Sequence, residues 1–175
     1  MILAWRMGAA ALLTLGLAGC ACGKARAAAT DPVLLGQFND WAAYTYKAAD
    51  TKVCYVSSRP RASVPKTGKR DPVFFLVTNM PGRQIKGEIS TIIGYAFKKE
   101  SIVDLRVDAA GFQLFTNADG AWADSPATEN KIVTAMKSGH ALTVKGTSWR
   151  NTQTFDTYSL DGIGAALAKI DDACK

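Results

Sequence analysis

Residues 102–116, IVDLRVDAAGFQLFT, decide the fold class. Val103, Leu105 and Val107 alternate with Ile102, Asp104 and Arg106. The stretch Asp108 to Gly111 then supplies turn chemistry, and Phe112 and Leu114 resume the alternation around Gln113. Alternation gives a strand one apolar face, whereas a surface helix needs apolar residues three and four apart. The stretch therefore predicts an antiparallel hairpin with strands at Ile102 to Val107 and Gly111 to Thr116.

Outward from this hairpin, Lys52 to Ser57, Pro72 to Thr78, Gln84 to Ile93, Leu142 to Ser148 and Gln153 to Tyr158 are further short runs of β-branched, aromatic and alternating residues. Met80-Pro81-Gly82, Asn117 to Gly120 and Arg150-Asn151 favour reversals between them. Two segments break the pattern. One predicts a helix capped by Ser125, with Pro126 at its first position, a buried stripe of Ile132, Val133 and Met136, and a stop at Gly139. The other predicts a helix from Leu160 to Cys174, because Leu160, Ile163, Leu167, Ile170 and Cys174 recur at helical spacing. The expected fold is mainly β: an antiparallel sandwich or partly closed barrel with two helices, the last at the C-terminus.

Residues 1–29 read as an export leader. Arg6 precedes an apolar run, Met7 to Ala18, that is shorter than the roughly 20 residues needed to span a bilayer. Two processing routes fit it. Ala27-Ala28-Ala29 offers a peptidase site, whereas Leu17-Ala18-Gly19-Cys20 resembles a lipobox whose Cys20 thiol would carry a lipid anchor. Of the 4 cysteines, cutting after Ala29 leaves the pair Cys54 and Cys174, while acylation of Cys20 strands Cys22. No linker, repeat or low-complexity tract divides residues 30–175, which are expected to form one domain.

Cys54 falls in a predicted strand and Cys174 on the apolar stripe of the last helix, and an exported chain with two cysteines usually oxidises them. A Cys54 to Cys174 disulfide would pin the tail helix to the sheet; the alternative is two separately buried thiols. Redox catalysis has no Cys-x-x-Cys in residues 30–175 to support it.

The net charge of +6 owes part of its excess to Arg6, Lys24 and Arg26 of the leader. Much of the remainder sits in Arg59, Arg61, Lys66, Lys69 and Arg70, a stretch without an acid. Pro60, Ser63, Pro65 and Gly68 interleave these charges, so the stretch reads either as a solvated loop or as a basic patch for an anionic envelope or host-surface ligand. It lacks the aromatics that would stack nucleic-acid bases.

Enzyme motifs are thin. His140 is the only histidine, it follows Gly139 at a helix exit, and a turn role accounts for it. No zinc or calcium pattern appears, and no cofactor is implied. Gly162-x-Gly164 imitates a dinucleotide loop without its third glycine or a returning strand. The adjacent acids Asp171 and Asp172 point in different directions from a helix end. Phe74-Phe75 and Phe112 to Phe115 alternate along strands and are expected to serve mainly as core.

Asp40-Trp41, Lys52-Val53-Cys54-Tyr55, Pro72-Val73-Phe74-Phe75, Ile93-Gly94-Tyr95, Phe112 with Leu114-Phe115-Thr116, Trp122, Ala135-Met136-Lys137, Val144 to Ser148, Asp156 to Leu160 and Ala173-Cys174-Lys175 together resemble the invasion-associated locus B family of exported alphaproteobacterial proteins. The resemblance spans residues 36–175. It departs at Ala96, where a proline is expected after the Gly-Tyr pair, and in residues 42–53, where many members carry another cysteine. It implies a secreted or envelope β-rich domain and transfers no catalytic or ligand-binding position. The expected function is non-enzymatic binding in the envelope or on a host surface, in the periplasm, at the outer membrane or outside the cell, with membrane contact only through a lipid anchor. The alternatives are a periplasmic hydrolase with an unrecognised carboxylate site and a structural envelope lipoprotein.

Intact-mass spectrometry of the exported protein is expected to find a chain starting at Thr30 or at an acylated Cys20, gaining two hydrogens on reduction. A retained leader would overturn the export reading.

Overall fold

The computed structural model describes residues 30–66 and 70–175. The leader with Cys20, and Lys69 of the basic stretch, lie outside the described residues. In chain order the elements are β1 (Val33–Phe38), β2 (Trp41–Lys47), β3 (Lys52–Ser58), β4 (Ala62–Val64), β5 (Phe74–Met80), β6 (Ile85–Ile92), β7 (Ile102–Val107), β8 (Ala110–Asn117), β9 (Gly120–Trp122), α1 (Pro126–Ser138), β10 (Ala141–Thr147), β11 (Gln153–Ser159) and α2 (Ile163–Ala173). The expected hairpin is β7 and β8, paired from Ile102 with Phe115 to Val107 with Ala110. Its turn takes Asp108 into the left-handed region at φ 49°, which a short polar side chain tolerates.

All the strands join one 11-stranded antiparallel sheet in the order β1-β2-β3-β5-β6-β9-β8-β7-β10-β11-β4. Strands far apart in this order nevertheless touch. Phe75 on β5 meets Tyr158 on β11 edge-on, with ring centroids 5.9 Å apart, and the Trp41 indole on β2 donates to the Ser159 carbonyl on β11 at 3.0 Å. The sheet is therefore bent so that its halves face each other across a core containing Trp41, Phe75, Leu105, Leu114, Leu142 and Tyr158, all buried. Its ends, β1 and β4, do not pair with one another, so the barrel stays open. The fold is mainly β and antiparallel with a C-terminal helix, as expected, and the two layers are one continuous sheet.

The helices cover the core side. Helix α1 lies against β6, and its cap is the expected one: the Ser125 hydroxyl accepts from the Thr128 amide, with Pro126 at the start and Gly139 at the exit. Ile132 and Met136 are buried and Val133 is half-buried. Helix α2 packs on β1, β2 and β3. It begins at Ile163, later than the periodicity suggests, because Gly162 caps it at φ 89° and the Phe38 carbonyl fills the place a Cβ there would take. The stripe Leu160, Ile163, Leu167, Ile170 and Cys174 is buried throughout.

Cys54 and Cys174 form the disulfide, with Cα atoms 6.0 Å apart. Two polar contacts reinforce it: Lys52 donates to the Ala173 carbonyl at the negative end of α2, and the Asn79 amide donates to Asp171 at 2.9 Å. Strands β1, β2, β4 and β9 were not expected from the sequence. Strand β2 carries Ala42 and Ala43, which have weak β propensity, and β4 and β9 have 3 residues each, too few for a periodic signal. Neighbouring strands hold them.

Because the bond closes a loop of sequence separation 120, the chain-entropy model assigns it about 5 kcal/mol at most. Removing it with Cys54→Ala and Cys174→Ala is expected to lower unfolding free energy by about 3–5 kcal/mol, read from a denaturant titration. An unchanged midpoint would show that α2 holds its place without the cross-link.

Candidate functional site

In an antiparallel sheet, directly paired residues point to the same face, so the register shows what the outer face presents. One row runs across five strands: Leu76 pairs with Ser90, Ser90 with Trp122, Trp122 with Phe115, and Phe115 with Ile102. Beside it, Phe74 pairs with Ile92. Ile102 and Phe115 are each 50% exposed and Ile92 38%, although an outward row of such a sheet is ordinarily polar. The Phe115 and Trp122 rings stack with centroids 6.0 Å apart and planes 30° apart. The six-membered part of the Trp122 ring fills the place of a Cβ on Gly120, so a larger residue at Gly120 would displace the indole. Arg59 closes one end of the band, its guanidinium 5.0 Å from the centre of the Phe74 ring.

One pleat further along, Gln113 pairs with Asp104, Asp104 with Lys145, Lys145 with Phe155, and Phe155 with Val64. An open groove of about 610 Å³ follows this row, lined by Asp104, Arg106, Gln113, Thr143, Lys145 and Phe155. Lys145 donates to Asp104 at 3.2 Å. Asp124, at the groove's α1 end, accepts from Ser125, and its hydroxyl partners Thr128 and Ser125 hold its carboxyl below the usual carboxylate range. The site thus joins a partly exposed aromatic band to a groove lined by two acids and two bases.

The described arginines among the basic residues singled out in the sequence make separate contacts. Arg70 turns inward. Its guanidinium donates to Asp156 at 3.0 Å and 2.7 Å and to the Ile93 carbonyl at 2.7 Å, and it lies 5.1 Å from the centre of the Tyr95 ring. Asp156 is fully buried and also accepts from the Ser63 hydroxyl at 2.6 Å. Arg61 pairs with Asp40, and Lys66 is exposed. Arg59 borders the outer band at Phe74.

Two further groups attend the buried pair. Tyr95 donates to or accepts from Thr154 at 2.7 Å, and burial raises its pKa. The Tyr158 hydroxyl is buried without a hydrogen bond of ordinary geometry, and burial, then the Asp156 charge, push its pKa up. This cluster fastens Arg70, just before β5, to Asp156 on β11.

His140 is exposed in the turn before β10, where its amide and that of Ala141 donate to Asp108 and depress that carboxyl's pKa. Asp171 accepts from Asn79 and Asp172 from Lys175, so the adjacent acids serve separate contacts. Among the described residues no group of three or more His, Cys, Asp or Glu could hold a metal ion. No helix among them is long and apolar enough to cross a membrane.

Sequence reasoning placed Phe112 to Phe115 mainly in the core. Leu114 is there, but Phe115 faces out, as its shared parity with Gln113 could have indicated. Trp122 could not be placed because its strand carries no periodic signal of its own.

The family model described as Invasion associated locus B (IalB) protein matches residues 41–171. The chain belongs to that family. No curated protein and no solved structure matches it.

Breaking a buried ion pair leaves an uncompensated charge, at a cost of about 3–5 kcal/mol. Arg70→Ala is expected to destabilise the protein by roughly that amount in chemical denaturation, whereas Lys66→Ala, at an exposed position, should change stability by less than about 0.5 kcal/mol. Equal effects of the two substitutions would mean that Arg70 does not hold the loop.

Proposed function

We propose that this member of the invasion-associated locus B family is exported and works by binding a partner in the cell envelope or on a host surface, through the outer face of its sheet and without chemistry of its own. The observation that carries this reading is the contiguous apolar run Trp122, Phe115 and Ile102 within the row that starts at Leu76, set on the face that the helices leave uncovered. Contiguous exposed apolar surface on a folded protein commonly marks an interaction site. Aromatic anchors such as Trp122 and Phe115 are the residues that dominate binding energy where they become desolvated.

Export has two supports: the short apolar leader with its cleavage signals, and a disulfide of a type that persists in oxidising compartments. The same oxidising setting suits a binding module that must keep its shape outside the cell. Residues 30–175 act as one domain in this reading, and Cys20 decides whether that domain is tethered or free. Of the two acids that line the groove, Asp104 pairs with Lys145, and Asp124 is held below the usual carboxylate range by the Thr128 and Ser125 hydroxyls, which disfavours the protonated form a general acid needs.

The test is co-sedimentation of the exported protein with envelope fractions of the producing cell and with host cells. The double variant Phe115→Ser/Trp122→Ser is expected to lose about 30-fold in affinity, the equivalent of one aromatic anchor worth about 2 kcal/mol, while its circular dichroism remains that of the parent. Undiminished sedimentation of the variant would overturn the assignment of this face.

A further inference from the structure

We infer that the ligand of the outer face is a neutral oligosaccharide chain, held with sugar rings on the Trp122–Phe115 pair and hydroxyl groups in the adjoining groove. This deepens the binding reading above and rests on it. A pyranose ring has an apolar face of C–H groups and a rim of hydroxyls that both donate and accept. An aromatic face carries the negative part of its quadrupole outward and attracts such polarised C–H groups. The stacked rings, 6.0 Å apart and with Phe115 half in water, offer that surface on a rigid strand pair.

The groove supplies the complementary hydrogen-bonding groups. Arg106, Gln113 and Thr143 line it and make no side-chain hydrogen bond among the described residues, so their donors and acceptors face water and stand ready for a ligand. Asp104 keeps one carboxylate oxygen outside its contact with Lys145. A donor-only guanidinium, an acceptor-only carboxylate, an amide and a hydroxyl together match groups that must be both donated to and accepted from. The charges decide the class further. Asp104 and Asp124 offset Arg106 and Lys145, so the groove as a whole favours neither an anion nor a cation.

The dimensions fit a chain better than a single sugar. From Gln113 on β8 to Phe155 on β11 the row crosses three interstrand steps, roughly 14 Å, and Phe155, 39% exposed, provides a second ring at the far end. An extended chain of equatorially linked rings could lie along this row. A protein partner would also bury the aromatic band, but it would gain little from a groove whose charges already cancel.

The test titrates the intact exported protein with a β-1,4-linked tetrasaccharide of N-acetylglucosamine and, separately, of glucose, by calorimetry and by the change in tryptophan emission. Saturable binding to at least one is expected, weakened about tenfold or more by Trp122→Ala and largely kept by Trp122→Phe, which retains the ring. Gln113→Ala and Arg106→Ala should each weaken it severalfold, and a tenfold rise in salt should leave it nearly unchanged. No binding to either probe, binding indifferent to Trp122→Ala, or binding abolished by salt would each overturn the assignment. If the Phe115→Ser/Trp122→Ser variant loses its cellular partner while neither tetrasaccharide binds or competes, the sugar assignment falls, and the face remains a binding surface for a protein. If that variant keeps its partner, both fall together.

Discussion

A sheet with helices packed on only one side must bury that side and leave the other to water, and the arrangement of this molecule follows from that division. Eleven strands cannot cover their own inner face while lying flat, so the sheet bends until β5 and β11 meet through Phe75 and Tyr158, with α1 and α2 filling the remainder. Each strand then has one residue parity facing the core and one facing solvent. Departures from that rule are informative because they oppose the force that builds the fold. Tyr158 brings a polar hydroxyl inside, and Phe115, Ile102 and Ile92 carry apolar surface outside. Tyr158 belongs to the packing around the buried ion pair, whereas Phe115 stacks on Trp122 beside Ile102 and still leaves apolar surface in water.

The same division separates two uses of charge. Inside, Asp156 takes hydrogen bonds from Arg70 and Ser63, so a carboxylate with no solvent access is compensated by a guanidinium that also reaches the Ile93 carbonyl. This contact converts part of a basic stretch into a clasp holding the loop between β4 and β5. Outside, the Lys145–Asp104 pair lies on a partly exposed sheet surface, where it adds little stability and chiefly fixes the polarity of the groove. A count of cations in the sequence could not distinguish the clasp from a patch. The distinction depends on Asp156, whose strand pairs with β4 only once the chain has folded over.

Legibility in the sequence follows the range of the interactions involved. The β7–β8 hairpin, the Ser125 cap with Pro126, and the stripe that carries Cys174 to Cys54 are written in residues close together, and each could be read. Strand β2 has small alanines beneath its neighbours, and β9 is short enough that only pairing with β6 and β8 makes it a strand. The start of α2 was misplaced because Gly162 is constrained by the Phe38 carbonyl, a contact from the other end of the chain. The site was harder still. Its row joins Leu76, Ser90, Trp122, Phe115 and Ile102 by registers of five strands, of which the sequence indicated the β7–β8 hairpin and, through the Met80-Pro81-Gly82 reversal, β5 beside β6, but neither pairing of β9.

The disulfide and the outer face are related through this geometry. Cys174 joins Cys54 on the core side of β3, so the bond holds α2 against the inner face and away from the aromatic band. The Lys52 contact to Ala173 and the Asn79 contact to Asp171 act in the same direction, fixing the helix end from two strands. With α2 secured there, β1, β2 and β3 are fixed from the core side, while the registers of β9, β8 and β7 align Trp122 with Phe115 and Phe115 with Ile102. The proposed binding face is built from side chains of five strands, so any affinity it has depends on how well the sheet is held. A covalent tie across a long loop, combined with a buried ion pair at the opposite edge, supplies that rigidity from the side of the sheet that no ligand needs to reach.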